Sequence, residues 1–243
     1  MNVSEVNKSA GMSALPAKVV LDRIQAKAPA SRERRHPAGV EASSAHKGWY
    51  SRGYLPHRDE AGLTQSITFR LADSFPSQRL NEWREWVDPK TGAILTSDAE
   101  RRTRIESYLD AGHGECWLRN PRVAELVEDA LLRFDGERYR LIAWAIMPNH
   151  VHVIAELLEG NALSAVVHSW KSWTAQRANE VLGRSGAFWF REYWDRFIRD
   201  GSHREATIRY VENNPVTARL VDRAEQWPWG SARRKLNKEE QNE

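Results

Sequence analysis

Cysteine is almost absent from these 243 residues: Cys116 stands alone. A single thiol closes no internal disulfide, which suits a reducing, cytoplasmic compartment, and it shows no Cys/His/Asn protease signature. Long apolar runs are missing too. The longest are strand-length and broken by Arg, His or Glu, so neither a secretory signal nor a membrane span is read from them. No Gly-x-x-x-x-Gly-Lys phosphate loop occurs, so any chemistry here runs without ATP bound in that way. There is no internal repeat.

What is present is an uneven charge and much tryptophan. The net charge is only +3, yet residues 1–47 hold 8 Lys/Arg against 4 Asp/Glu, residues 48–163 hold 14 against 18, and residues 164–238 hold 14 against 8. Six of the 11 tryptophans (Trp170, Trp173, Trp189, Trp194, Trp227, Trp229) fall in the basic second half. Cations interleaved with aromatics suit single-stranded nucleic acid, where bases stack on rings. A solvated helical surface with core tryptophans reads the same pattern without any ligand. Lys171, Arg177, Arg191, Arg199 and His203 are the candidate DNA contacts in this half.

The chain divides into a basic extension (1–47), read as disordered or weakly ordered, one domain (48–232), and a charged tail (233–243). Ser66–Leu71 alternates and reads as a strand. Helices are expected around 77–88 and 97–111, inside a helical, acidic insertion at about 73–115. A further helix starts at Asn120-Pro121. Strands follow at 138–147 and 151–157, separated by Pro148-Asn149, then a helix from an Asn161 cap to Gly183 and a strand at 188–198. The last helix opens on a Ser202…Glu205 capping box and is stopped by Pro215. Strand, helix, strand, strand, helix, strand is the α/β (α+β) split β-α-β order of ferredoxin-like folds, an antiparallel sheet with helices.

The chemistry concentrates at two places. His150-Val151-His152 lies on a strand, so both imidazoles project from one side and can hold one metal ion. Tyr210 and Asn214, at i and i+4 on a helix, point together. Two imidazoles, an amide oxygen and open positions suit Mg²⁺ or Mn²⁺ better than Zn²⁺. A phenol near such an ion can attack a phosphodiester, the ion offsetting the phosphate charge. A phenol pKa near 10 means that it needs such help, for which Arg199 and His203 are candidates. Tyr193 is a rival nucleophile but sits in an aromatic strand pattern and reads as packing. His113-Gly-Glu-Cys116 supplies only two ligands and reads as a loop.

Several segments together resemble one family. Trp144-Ala-Ile-Met-Pro-Asn-His-Val-His-Val153 looks like the histidine–hydrophobic–histidine (HUH) motif of single-strand transposases with one catalytic tyrosine. Gly186–Asp195, Ile198–Asp200, Tyr210–Ala218 and Trp227-Pro-Trp-Gly-Ser231 resemble the subgroup of REP-associated tyrosine transposases. The likeness covers about residues 50–232. It implies an HUH-type nuclease fold, a divalent metal, and a 5′-phosphotyrosine link made by Tyr210. His150 and His152 carry over as ligands, and Asn214 stands where many relatives have Gln. It further implies cleavage of single-stranded DNA beside hairpin-forming REP palindromes, by an enzyme that tends to be monomeric. Gly53-Tyr-Leu-Pro-His57 resembles a motif that reads a guide sequence in some relatives, and reads equally as an ordered turn. The rival function is a protein that binds hairpins without cutting them, or a phosphodiesterase that turns over without an adduct.

Overall fold

The computed structural model describes residues 48–51, 56–75 and 98–240. The chain divides into units Met1–His36 and Pro37–Glu243, and every described residue falls in the second. The extension read at 1–47 and the helix expected at 77–88 lie outside the described residues.

Four strands form the central sheet: β3 (Thr64–Leu71), β4 (Tyr139–Ile146), β5 (His150–Leu157) and β6 (Trp189–Phe197). Their order across the sheet is β4-β5-β3-β6, with every neighbouring pair antiparallel. Sequential strands two and three thus form a hairpin, and strand one lies between three and four. This is the split β-α-β arrangement that the sequence order predicts. A separate two-stranded ribbon, β1 (Gly48–Ser51) with β2 (Pro56–Asp59), precedes it.

Alternation decides which face each strand residue serves. Ile67, Phe69 and Leu71 of β3, with Val151, Val153, Ala155 and Leu157 of β5, join the larger apolar core. Over this face lie α2 (Pro121–Leu132) and α3 (Leu163–Leu182). Val123, Val127 and Leu131 recur every four residues along α2 and are buried, as are Val166, Trp170 and Ala178 of α3. Asn120 caps α2, its side chain accepting from Arg122 N at 3.0 Å, and Pro121 fills the first position, where no amide is needed. At about 1.5–3 kcal/mol for each large apolar side chain fully buried, this interface supplies the main cohesion of the domain.

The opposite face carries the polar members of the same strands. It is covered by α4 (Gly201–Thr217), whose Val211 packs on Ala143, Ala145, Met147 and Ile154. Near it ends α1 (Asp98–Asp110), whose Ile105 and Leu109 pack with Phe75 and the half-buried Trp194. Helix α5 (Ser231–Glu240) closes the described chain.

Four local expectations are corrected. Asn161 does not cap α3: its amide turns back to Leu158 O and Glu159 O, and Asp59 on β2 accepts from Leu163 N at 3.0 Å instead. The cap of α4 is Asp200, accepting from His203 N at 2.8 Å, rather than the box opened by Ser202. Pro215 sits inside α4, which continues to Thr217, because proline costs one amide but does not bar the last turn where Ala218 N still reaches Asn214 O. The segment read as a charged tail is helical from Ser231 to Glu240, and Lys235 pairs with Glu212 at 2.6 Å.

Candidate active site

His150 and His152 sit on the α4 face of the central strand β5, both buried. Their Nε2 atoms face each other at 3.0 Å, with the rings nearly perpendicular at 88°. The outer nitrogens are engaged. His150 Nδ1 lies 2.7 Å from Asn149 Oδ1, and His152 Nδ1 lies 2.9 Å from Thr68 Oγ1 on β3. Asn149 donates through Nδ2 to Leu109 O and His113 O, at 3.1 and 3.0 Å, which turns its oxygen toward His150. His150 Nδ1 is therefore the protonated nitrogen, and its Nε2 presents a lone pair.

Burial holds both imidazoles neutral. His150 is pushed well below the usual histidine range, first by loss of water and then by His152, and His152 is lowered to about 4 by burial. Two neutral nitrogens converging at this distance suit a cation between them better than protons on each. Asp110, the last residue of α1, brings Oδ1 to 3.8 Å from His150 Nε2, and that oxygen is buried without a hydrogen-bond partner. Burial, then Glu106, raise its carboxyl to about 6. Among the described residues no group of three or more His, Cys, Asp or Glu is arranged to hold a metal ion. A third ligand to the pair thus has to come from an amide oxygen or from a shift of Asp110.

Tyr210, on α4, meets this pair: its ring lies 5.9 Å from that of His152, edge to face. The residue is 41% exposed, yet its hydroxyl is set in toward Glu106 and the buried Asn214, to both of which it hydrogen bonds. Loss of water there, then the charge of Glu106, push the phenol upward, with Asn214 opposing. Tyr210 is consequently protonated at neutral pH. The i, i+4 pairing of Tyr210 with Asn214 is as the helix spacing predicts, and the structure brings His150, His152 and Tyr210 together, with Asn214 hydrogen-bonded to Tyr210.

The candidate DNA contacts do not gather at this point. His57 is buried against Asp195, with Tyr193 4.8 Å away between ring centroids, so it presents no surface to a guide sequence in this conformation. Lys171 donates to Phe190 O and Arg191 O, both at 2.7 Å. Arg177 pairs with Glu180 at 3.0 Å. Arg191 is open, its side chain 85% exposed. Arg199 is exposed near Phe197, and its amide donates to His203 Nδ1 at 3.2 Å. Tyr193 is core, as read. In the loop after α1, Cys116 Sγ donates to Gly112 O and His113 stacks on Tyr108.

Sequence reasoning missed Thr68, Asn149, Glu106 and Asp110. Only Asn149 had a local signal, its place beside the pair in the turn. The other three come from segments distant in the chain.

The family model described as "Transposase IS200 like" matches residues 120–214, which contain both histidines, Tyr210 and Asn214. A Haemophilus influenzae protein named as a REP-associated tyrosine transposase is 25% identical over 111 residues, covering 42% of this chain and 63% of the relative. The REP-associated tyrosine transposase of Escherichia coli K12 is 22% identical over 111 residues, covering 45% and 65%. The matches thus span less than two thirds of the relatives' own lengths. Among solved structures, a REP-associated tyrosine transposase bound to a REP hairpin shares 17% identity over 77% of this chain and 84% of its own, with a TM-score of 0.46. A Deinococcus radiodurans R1 protein solved as a candidate transposase shares 15%, over 68% and 96%, with a TM-score of 0.31. No helix among the described residues is long and apolar enough to cross a membrane. Over these shares the chain is similar to REP-associated tyrosine transposases, and its residues 120–214 match the model described as "Transposase IS200 like".

Proposed function

We propose that this protein is a metal-dependent endonuclease and transesterase of single-stranded DNA that cuts and rejoins hairpin-forming repeats through a 5′-phosphotyrosine at Tyr210. The observation that carries the reading is the meeting of Tyr210 with His152, at 5.9 Å between rings, where two neutral imidazole nitrogens converge. The names of the relatives direct the substrate to REP elements, described by the sequence resemblance as hairpin-forming.

His150 and His152 would hold a Mg²⁺ or Mn²⁺ ion, with Asn214 as the oxygen ligand. When bound, that ion offsets phosphate charge and favours ionisation of the phenol. Thr68 and Asn149 keep the imidazoles in the tautomer and orientation that a ligand needs. Tyr210 Oη attacks phosphorus, the phenolic proton is lost, and the P–O3′ bond breaks. The 3′ oxygen leaves with a proton, so that the strand ends in a free 3′-hydroxyl. The new phosphodiester joins Tyr210 to the 5′ side. Because one phosphate ester replaces another, rejoining by a 3′-hydroxyl needs no ATP.

The test is a labelled single-stranded hairpin with Mg²⁺ or Mn²⁺, run on a denaturing gel. Wild type should give a protein–DNA species, and Tyr210→Phe should give none while binding persists. An adduct from Tyr210→Phe rejects the nucleophile. Binding by wild type with no adduct favours the non-cleaving hairpin binder, and turnover without adduct favours a phosphodiesterase.

A further inference from the structure

Arg70 is the most deeply buried cation among the described residues, at 0% exposure. It lies on β3 directly across from His150 of β5, and its neighbour two residues back, Thr68, holds His152. Arg70 therefore occupies the histidine face of the sheet, beside the candidate metal site. Its guanidinium stacks 3.7 Å above the ring of Phe190, with Phe75 at 5.1 Å and Trp194 at 5.9 Å.

The hydrogen bonding of this group is half complete. Nη1 donates to Ser74 Oγ at 3.2 Å and to Leu71 O at 3.5 Å. Nε and Nη2 are buried and reach no acceptor. These two nitrogens form one edge of the guanidinium, where the N–H bonds run parallel and fit two oxygens of a phosphate or carboxylate. The buried carboxylate of Glu192 on β6 lies by His57 at 4.0 Å and Arg191 at 3.8 Å instead. Burial lowers Arg70 to about 9, which leaves it charged at neutral pH. A fold tolerates a buried charge without a counterion only at a cost, so an open fork in an aromatic wall asks for an anion.

We propose that the Nε/Nη2 edge of Arg70 is an oxyanion subsite that holds a phosphodiester of the single strand beside the phosphate cut at Tyr210. The identity of that anion as DNA rests on the function proposed above; the oxyanion chemistry does not. Phe75, in the turn after β3 and 9% exposed, forms one side of that wall. The aromatic faces then exclude water from the ion pair, which strengthens it.

The test compares the full chain with Arg70→Met and Arg70→Lys. Inorganic phosphate should raise the melting temperature of wild type, and leave that of Arg70→Met unmoved. Anisotropy of a labelled single-stranded hairpin should show about tenfold weaker binding for Arg70→Met, with the slope of log affinity against log salt reduced by about one. Arg70→Lys keeps a charge but not the fork, and should fall between. A folded Arg70→Met with unchanged salt slope and unchanged phosphate response overturns the proposal. Should Arg70→Met fail to fold, wild-type insensitivity to phosphate together with full DNA affinity in Arg70→Lys overturns it equally. The adduct gel separates the two readings. Adduct formation by wild type with DNA affinity indifferent to Arg70 removes the subsite alone. Phosphate binding that depends on Arg70, without any adduct, keeps the subsite and removes the nuclease.

Discussion

Asn149 joins three parts of the molecule through one amide: the α1 end by its nitrogen, His150 by its oxygen, and β3 by its backbone carbonyl, which accepts from Leu71 N at 2.8 Å. Thr68 does the corresponding work for His152. If the histidines are ligands, these partners fix the imidazoles before the ion arrives. Thr68→Val keeps the shape and removes the oxygen, so Mn²⁺ affinity should fall about 10–100-fold. Calorimetric titration with Mn²⁺ measures this, and an unchanged dissociation constant with normal folding would show that Thr68 is packing alone. At this scale the sequence was readable wherever chemistry is local. His-x-His on a strand and Tyr-x-x-x-Asn on a helix name their own geometry. Thr68 and Asp110 approach the site from segments 84 and 40 residues away from His152 and His150, a relation no spacing rule encodes. The sign of the charge in the second half was equally readable, but not its use. Lys171 and Arg177 spend their donors on the protein itself.

Elements show where local rules lose to tertiary contacts. Asn161 has the right chemistry to cap α3, but the first amide there is taken by Asp59 from the β1–β2 ribbon. A cap reaching across 104 residues ties the ribbon to the helix behind the sheet. Asp59→Ala should therefore cost about 1–2 kcal/mol, at the upper part of the range for helix caps, because the site is buried and water cannot replace the carboxylate. Urea unfolding would report it as a lower midpoint at constant slope. A midpoint equal to wild type would mean that the amide finds another acceptor. The four strands of the central sheet, by contrast, were legible to within two residues or so, because apolar alternation and the Pro148-Asn149 turn fix both register and ends, whereas the β1–β2 ribbon was not foreseen.

Across the whole molecule, two long-range tethers carry distinct consequences. The first is in the core. Tyr139 donates to Leu131 O at 2.8 Å and accepts from Trp170 Nε1 at 2.9 Å, and burial raises its phenol to about 12. An unfolded tyrosine ionises near 10, so the unfolded chain loses its proton first as pH rises. The contribution of Tyr139 is thus complete below about pH 10 and drains away between about 10 and 12. Urea midpoints in that window should fall more steeply for wild type than for Tyr139→Phe. Parallel curves would assign the alkaline loss to other groups.

The second tether decides where the tyrosine helix stands. Ser231 accepts from Trp144 N at 3.1 Å on β4 and donates to Glu212 Oε1 at 2.7 Å on α4, where Lys235 adds a pair at 2.6 Å. Trp227 donates to Ile146 O at 3.0 Å, and Gly230 bridges to Ala145. The closing segment is thereby a splint between the edge strand and the turn of α4 that follows Tyr210. The histidines lie on β5 and owe nothing to it directly. Under the proposed function, ending the chain after Gly230 should leave Mn²⁺ binding near wild type while adduct formation slows by about tenfold or more, since small displacements of a nucleophile are costly in rate. Ser231→Ala with Lys235→Ala should show a weaker form of the same split. Loss of metal binding and adduct together would point to global unfolding, which a melting curve identifies. An unaltered adduct rate at full stability would mean that α4 keeps its place through Val211 and the apolar contacts beneath it, and that the splint positions nothing.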